Sequence, residues 1–477
     1  EYLKTDRLDY KTLEILSDNE IQNQHPETAV VYLEDLLKAA PRDWEKMNLI
    51  AGVYMQLNDY LCARFWYQRS IEVNPEQDAI ARKLQRLSSR VTDENTISNI
   101  LPPSRILVVT NLYPPQELGG YGRSMFNFAN ELRTRGHEVR VLTSYLPSLD
   151  PCPEHEPFID RSLELFGDWI NGRIVNHPEP EPIILKNIAT VTRVIRELKP
   201  DFILAGNLDL INYNIVTPIL NNFNIPLIHH LGYKDNPFTN HLLPRHPRFF
   251  FAGASHWIMQ RNITPGYTNC DFVYPGAKVR DFMLNTPVSI RRLNIAYASL
   301  VSRSKGIGTL VNALCVLKSQ GIDFSCTIAG KILDQELYEE LLHVSRCNGF
   351  EPQITFTGNL NTQELRKLYS RHNVLVFPSI TPEAFGITPV EAMAAGLPVI
   401  STGQGGAAEV VEDGHSGIIT SPGDHDALAE ALISLLHNAE KWEKMGEAAK
   451  CRALEIFDIS VSVDKLEKIF ANMTKLQ

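Results

Sequence analysis

The stretch that decides the fold runs from residue 377 to residue 400 and reads FPSITPEAFGITPVEAMAAGLPVI. Its apolar ends predict two strands, and the segment between them predicts a loop followed by a short helix. Thr388 has the side chain of an N-cap, Pro389 fits the first helical position, and Glu391 completes a capping box. Gly396 is the glycine expected where that helix ends. A helix that follows a strand in this way points its amino end at the mouth of the sheet, so we expect an anion-binding site there.

Strands alternate with helices on both sides of this stretch. In the second half of the chain we predict strands at 294–298, 325–329, 353–357, 374–377, 398–401 and 416–420, with helices at 308–319, 334–348, 362–370 and 426–437. In the first half we predict a helix at 124–135 and strands at 106–109, 139–142, 201–205, 226–230, 249–253 and 272–274. The predicted fold class is α/β, with two tandem Rossmann-like domains whose cleft lies at the carboxyl ends of the strands. Residues 145–182 contain seven prolines and predict a surface excursion.

The first hundred residues carry a repeat. Pro41 and Pro75 lie 34 residues apart, as do Ala29 and Ala63. The second unit resembles a tetratricopeptide repeat, in which small residues let paired helices approach closely, and an ordinary helical hairpin is the alternative. The domains we predict are an all-α segment, two Rossmann-like domains and a last helix that crosses back to the first of them, at residues 1–100, 101–288, 289–460 and 461–477.

The composition limits the class of partner. The 477 residues include 46 Lys and Arg against 56 Asp and Glu, which gives a net charge of −10. An acidic chain lacks the basic footprint that nucleic acid requires, so no nucleic-acid partner is expected. No apolar run reaches the ~20 residues that span a bilayer, so no transmembrane segment is expected. The seven cysteines are scattered without a C-x-x-C pair, which favours reduced thiols and a cytoplasmic location, with peripheral attachment to a membrane left open.

Glu383 and Glu391 stand eight positions apart, and taken alone they are explained as a loop residue and a capping partner. Together with the motifs around them they resemble the E-x7-E signature of retaining, family-4-type glycosyltransferases of the GT-B fold. The other motifs that carry the resemblance are Lys305-Gly306, GGAAEVV at 405–411 and DGHSG at 413–417 in the second half, and Gly119-Gly120 and RGHEV at 135–139 in the first. The resemblance covers about residues 104–470 and is more specific in the second half.

This resemblance implies a reaction and a set of roles. A sugar would pass, with retention, from a nucleoside diphosphate sugar such as a UDP-sugar to an acceptor saccharide, a lipid-linked saccharide or a protein, in polysaccharide or glycoconjugate synthesis. Glu391 would accept the ribose hydroxyls, Glu383 would accept hydroxyls of the donor sugar, and Lys305 would neutralise the leaving phosphate. Glu383 and Lys305 are thus the catalytic candidates. The remaining donor-binding candidates would act through their backbone and are Gly119, Gly120, Phe385, Gly386, Ile387 and Thr388.

The chain departs from the pattern of this family in two places. Five residues before its lysine the family usually has an arginine, but here Leu300 stands there. Arg303 either replaces that arginine or is a plain surface residue. The family often has a histidine near the reacting sugar, but that position is Gly232. His229 and His230 come earlier, and because side chains alternate along a strand only one of them can face the cleft. A core histidine is the alternative for either.

Other kinds of site are disfavoured. The glycines before residue 123 are not followed by the third glycine of a dinucleotide fingerprint, because Met125 stands there, and no P-loop G-K-[ST] occurs. Asp424-His425-Asp426 has the D-x-D form of a metal site, but its place before an Ala/Leu-rich helix makes Asp424 an N-cap. We therefore expect no metal site and no cofactor.

A scaffold is the alternative function. In that interpretation the α/β part binds a nucleotide sugar without turnover, and residues 1–100 recruit a protein partner. Leu300 favours this interpretation, whereas intact Glu383, Glu391 and Lys305 favour the enzyme.

Overall fold

The chain contains two compact units, Glu1–Asn99 and Ile100–Gln477. The structure is a computed structural model, and it describes residues 10–23, 25–40, 43–56, 60–84, 101–116, 120–147, 149, 151–153, 157–170, 173–238, 243–264, 266–284 and 292–475. None of the helices in these ranges is long and apolar enough to cross a membrane.

Helices that pair with their neighbours along the chain build the first unit. Leu33, Leu36 and Ile50 are fully buried in its core. Ala51 and Ala63 are also fully buried, because small side chains allow close contact between helices. The helices are α1 (Tyr10–Gln22), α2 (Pro26–Ala39), α3 (Trp44–Gln56) and α4 (Tyr60–Val73), and residues 78–84 are also helical.

A seven-stranded parallel sheet forms the first half of the second unit. Its strands are β1 (Arg105–Val109), β2 (Glu138–Ser144), β3 (Ile159–Leu163), β6 (Phe202–Ala205), β7 (Leu227–Leu231), β8 (Phe249–Gly253) and β9 (Cys270–Phe272). They lie in the order β3-β2-β1-β6-β7-β8-β9. Apart from Arg105, the central strands β1 and β6 are apolar, as expected of parallel strands with helices on both faces. The helices are α5 (Tyr121–Thr134), α6 (Glu181–Leu198), α7 (Val216–Phe223) and α8 (His256–Asn262).

The prediction of a plain surface excursion over residues 145–182 is wrong in part. Strand β3 joins the sheet at its edge, and β4 (Gly167–Ile170) pairs with β5 (Arg173–Asn176) as an antiparallel hairpin. The pattern of apolar residues missed β3 because four of its five residues are only partly buried, as suits an edge strand.

A six-stranded parallel sheet forms the second half. Its strands are β10 (Leu293–Ala298), β11 (Phe324–Ala329), β12 (Ile354–Gly358), β13 (Val374–Phe377), β14 (Val399–Ser401) and β15 (Gly417–Ile419), in the order β12-β11-β10-β13-β14-β15. Its helices are α9 (Val279–Phe282), α10 (Ile307–Ser319), α11 (Gln335–Cys347), α12 (Thr362–Tyr369), α13 (Ile387–Ala394), α14 (His425–His437) and α15 (Ala439–Ile456). Helix α9, which the sequence placed in the first domain, packs in the core of this half. The predicted α/β class with two Rossmann-like halves and a helical N-terminal segment is confirmed.

The last helix, α16 (Ile459–Lys475), packs against the first half. Leu466 and Phe470 are fully buried in the same core as the strands of the first sheet. Arg135 and His137 hold this helix, because both contact the buried Glu467, at 2.9 and 2.8 Å. The backbone N–H of Ser104 donates to Nδ1 of His137, so the ring proton lies on Nε2 and is donated to Glu467. The RGHEV motif thus has a structural role, because its Arg135 and His137 bind the last helix to the first half.

Candidate functional site

Helix α13 begins at the carboxyl edge of the second sheet, directly after strand β13. Its N-cap is Gly386, with φ of 119°, and no side chain caps it. The predicted N-cap Thr388 and the predicted capping box with Glu391 are therefore wrong. The glycine allows a backbone turn that Thr388 would adopt only with strain, so the helix starts two residues earlier than predicted. Glu391 lies in the second turn, 2% exposed, and capping does not explain its carboxylate.

Lys305 and Glu383 form an ion pair at this edge. Nζ of Lys305 lies 2.7 and 2.8 Å from the two carboxylate oxygens of Glu383, and the hydroxyl of Ser379 also donates to Glu383. Gly306 makes the approach of the lysine loop possible, since a Cβ on Gly306 would lie 1.8 Å from the carbonyl oxygen of Pro378. The structure therefore brings together the two predicted catalytic candidates.

Gly405 and Gly406 support the backbone of Glu383. The N–H of Glu383 donates to Gln404 at 3.0 Å, and the N–H of Gly406 donates back to the carbonyl of Glu383 at 2.7 Å. A Cβ on Gly405 would lie 2.5 Å from the carbonyl oxygen of Glu383, and one on Gly406 would lie 2.1 Å from that of Ala384. Only glycine fits either position, so this pair of glycines holds the backbone that carries the Glu383 carboxylate.

The same loops contact the first half through Glu409 and Ser255. The carboxylate of Glu409 accepts the N–H groups of His256 and Trp257 at 3.0 and 2.9 Å, which satisfies the amino end of helix α8. The hydroxyl of Ser255 accepts the N–H of Ile258 as the N-cap of α8, and it donates to the carbonyl of Ala384 at 2.7 Å. We call these four hydrogen bonds the Glu409 contact.

Sequence reasoning quoted the motif that contains Glu409 but gave this residue no role. The motif did contain a hint of such a role, because an acidic residue, Glu409, follows two glycines that bend the chain. Its partner at the amino end of α8 is not visible in the sequence.

Arg123 reaches Glu391 from the first half. Its Nη1 lies 3.6 Å from Oε1 of Glu391, and the two side chains are 21% and 3% exposed. Arg123 lies in the first turn of α5, next to Gly120. The buried Tyr369 hydroxyl stays protonated beside this pair, because burial and the charge of Glu391 raise its pKa well above the usual value. Sequence reasoning missed Arg123.

Gly120 and the residues predicted to bind the donor through their backbone differ in how far they are buried. A Cβ on Gly120 would meet no atom within 4 Å, so the space before it is open. Phe385 is 3% exposed and packs on Tyr274, which leaves its backbone as the part that can bind a ligand. Gly386, Ile387 and Thr388 are partly buried at the start of α13. Gly119 lies outside the described residues.

Arg303 is turned away from Glu383. Its guanidinium lies 2.8 Å from Glu340 and 3.5 Å from Asp334, and its side chain is 56% exposed. The structure thus places Arg303 on the surface, which is the alternative that the sequence left open, and replacement of the arginine missing at Leu300 stays a prediction. The physical reason for its surface position is that two carboxylates on the side of α11 attract it outward.

His229 and His230 are both fully buried, so neither offers a surface to a donor sugar. Nε2 of His230 donates to the carbonyl of Val273 at 2.8 Å, and burial lowers the His230 pKa to about 4. On the opposite face of β7, His229 packs edge-on against Phe238, and burial next to His230 lowers its pKa to about 3. Each is thus a neutral core residue, which is the alternative that the sequence left open for both.

A carboxyl group lies at the carboxyl edge of the first sheet. Asp209 follows strand β6 and accepts a hydrogen bond of 2.7 Å from Nδ2 of Asn111, which follows β1. Burial raises the pKa of Asp209 to about 6, and the Asn111 bond opposes that rise. Two polar side chains, those of Asn111 and Asp209, are therefore held together at this edge of the first sheet.

The Glu409 contact yields a prediction. Glu409→Gln keeps the shape but removes the charge, and hydrogen bonds to charged acceptors are stronger by about 1 kcal/mol than neutral ones. A loss of about 1 kcal/mol is about a fivefold change in an opening equilibrium, so we expect hydrogen–deuterium exchange in the peptide of residues 255–262 to accelerate about fivefold. Glu440→Gln, in an exposed pair with Lys444, is the matched control. Unchanged exchange at this peptide would contradict the role of Glu409.

Comparison with known proteins places the chain in a family. Residues 291–452 match the family described as Glycosyl transferases group 1. A sulfoquinovosyl transferase of Arabidopsis thaliana is 37% identical over 376 residues, a match that covers 73% of this chain and 70% of the relative. A glycogen synthase of Mycobacterium tuberculosis is 25% identical over 402 residues, which covers 74% and 91% of the two chains.

Solved structures share the fold of the second unit. Sucrose-phosphate synthase from Thermosynechococcus elongatus has a TM-score of 0.64 at 18% identity and covers 78% of this chain and 100% of its own. Anabaena HepE in complex with UDP and glucose has a TM-score of 0.58 at 20% identity and covers 77% and 100%. With the sequence match to the Arabidopsis enzyme, these comparisons lead to one conclusion: the chain belongs to the group 1 glycosyltransferases.

Proposed function

We propose that the chain is a retaining glycosyltransferase that moves a sugar from a nucleoside diphosphate sugar to a hydroxyl of an acceptor saccharide or glycoconjugate. The observation that carries this proposal is the Lys305–Glu383 ion pair, which lies at the carboxyl edge of the second sheet near the amino end of α13. A cation and a helix amino end suit a diphosphate, and a carboxylate beside them suits sugar hydroxyls. UDP-sugars are the first donors to test, since Anabaena HepE was solved in complex with UDP and glucose.

Each group then has a task in the transfer. Glu391 accepts the ribose hydroxyls, and the backbone around Gly386 with the amino end of α13 holds the diphosphate. Glu383 accepts hydroxyls of the donor sugar, which fixes its orientation. Lys305 neutralises the negative charge that grows on the phosphate oxygen as the glycosidic bond breaks.

Retention follows from attack on the side from which the phosphate leaves. The acceptor oxygen forms its bond to the anomeric carbon as the bond to the diphosphate oxygen breaks, and the acceptor proton passes to that oxygen. No protein nucleophile takes part. Asn111 and Asp209 at the edge of the first sheet are suited to hold the acceptor hydroxyls. The Glu409 contact draws the two halves together, which excludes water that would hydrolyse the donor.

The test is release of nucleoside diphosphate from a panel of UDP-, GDP- and ADP-sugars, measured in EDTA because Lys305 takes the place of a metal. Lys305→Ala should lower kcat about 100- to 1,000-fold, since it removes charge stabilisation at the leaving group. Glu383→Gln should also lower kcat, and Lys444→Ala, which removes an exposed lysine, should not.

Three results would contradict the proposal. Activity that returns only with added Mg²⁺ would contradict metal independence. No release from any donor would contradict the enzyme, and binding without release would favour the scaffold. A kcat of Lys305→Ala within about twofold of the wild type would contradict the role of Lys305.

For the helical unit we propose a recruiting role, in the manner of tetratricopeptide repeats, in a cytoplasmic protein. The paired helices with buried alanines at their contacts support it. Such a unit raises the local concentration of a protein or glycoconjugate acceptor. Deletion of residues 1–95 should then lower transfer of labelled sugar to the acceptors of a cell extract about tenfold or more. Donor hydrolysis is the control and should stay unchanged, and equal transfer by both forms would contradict the proposal.

A further inference from the structure

Two helices from different halves of the second unit meet at Glu391. This carboxylate belongs to α13, and the guanidinium that contacts it belongs to the first turn of α5 in the other half. A cation in the first turn of a helix is disfavoured by the helix dipole, so the helix itself gives no reason for Arg123. The reason lies outside α5, in a group that the arginine binds.

The contact with Glu391 is loose. The distance of 3.6 Å between Nη1 and Oε1 is longer than a charge-assisted hydrogen bond, which measures about 2.8 Å. The Arg123 side chain keeps 21% of its surface exposed, whereas that of Glu391 is almost wholly buried. This long contact is weaker than a short charge-assisted one, so a ligand that offers stronger acceptors can draw the guanidinium away from Oε1 of Glu391.

The charges of the site point to where Arg123 goes. Glu383 is matched by Lys305, Glu391 is matched by Arg123, and Arg303 is held outside by Glu340. A nucleoside diphosphate adds the negative charges of two phosphates, and its ribose hydroxyls need the Glu391 carboxylate as their acceptor. If Arg123 stayed on Glu391, Lys305 would meet the diphosphate without a second side-chain cation from this group.

We propose that Arg123 is a donor-binding residue that exchanges partners: it yields Glu391 to the ribose hydroxyls and binds the diphosphate, and so draws the first half onto the donor. This inference rests on the proposed function and names how its site responds to the donor. A Cβ on Gly120, three residues before Arg123, would meet no atom of the described residues within 4 Å, so none of them crowds this position.

The exchange predicts a difference between two ligands that a purely structural contact between Arg123 and Glu391 does not predict. A nucleoside must displace Arg123 from Glu391 but offers it no phosphate, whereas a nucleoside diphosphate does both. Loss of the arginine should therefore lower the affinity only for the ligand that carries phosphates. A structural tie would change the affinity of both ligands alike.

The experiment measures the binding of uridine and UDP to the full chain by NMR titration and calorimetry. Arg123→Gln should weaken UDP about tenfold or more, while uridine binds equally well or better. Arg123→Lys, which keeps the charge, should retain most of the preference for UDP. Arg193→Gln, in an exposed pair with Glu197, is the matched control and should match the wild type.

The possible results distinguish failure of the partner exchange from failure of the proposed function. Equal losses for both ligands, or no change for either, would overturn the exchange and leave the proposed function intact. If the wild type binds neither UDP nor the GDP and ADP tested beside it, the proposed function fails, and the exchange fails with it. The Arg123→Lys protein guards against a result caused by misfolding.

Discussion

The ion pair between Lys305 and Glu383 is the constraint on which the rest of the site depends. It holds two opposite charges in a partly buried place, so each loop that carries one of them must come close to the other. Gly306 lets the lysine loop press against the end of β13, and Gly405 and Gly406 let a third loop support the Glu383 backbone. The glycines are therefore part of the electrostatic design, because a side chain at any of the three would push the charges apart.

The two halves meet on the same loops that carry this pair. Ser255 bonds the carbonyl next to Glu383, and Glu409 binds the amino end of α8. Movement of the first half is thus transmitted to the backbone of a proposed catalytic residue. Arg123 adds a third contact, at the carboxylate assigned to the ribose. Closure of the cleft and assembly of the site are, on this account, one event.

Much of this was predictable from local sequence, and the failures share a cause. The strands at 249–253 and 374–377 and the glycine motifs were found because each depends on neighbours a few residues away. The start of α13 was misplaced because Gly386 accepts a positive φ that overrides the capping preference of Thr388. The surroundings of Arg303, His229, His230 and Arg123 could not be predicted from local sequence, since the partner of each side chain comes from a distant part of the chain.

The central claim is that this pair of charges transfers a sugar by attack on the side from which the phosphate leaves. The most direct measurement is the configuration of the new linkage, read from the coupling constant of its anomeric proton by NMR. With an α-linked nucleotide sugar as donor, the account predicts an α-linked product. A β-linked product would contradict it, because inversion requires attack from the opposite side and a different arrangement of groups around Lys305 and Glu383.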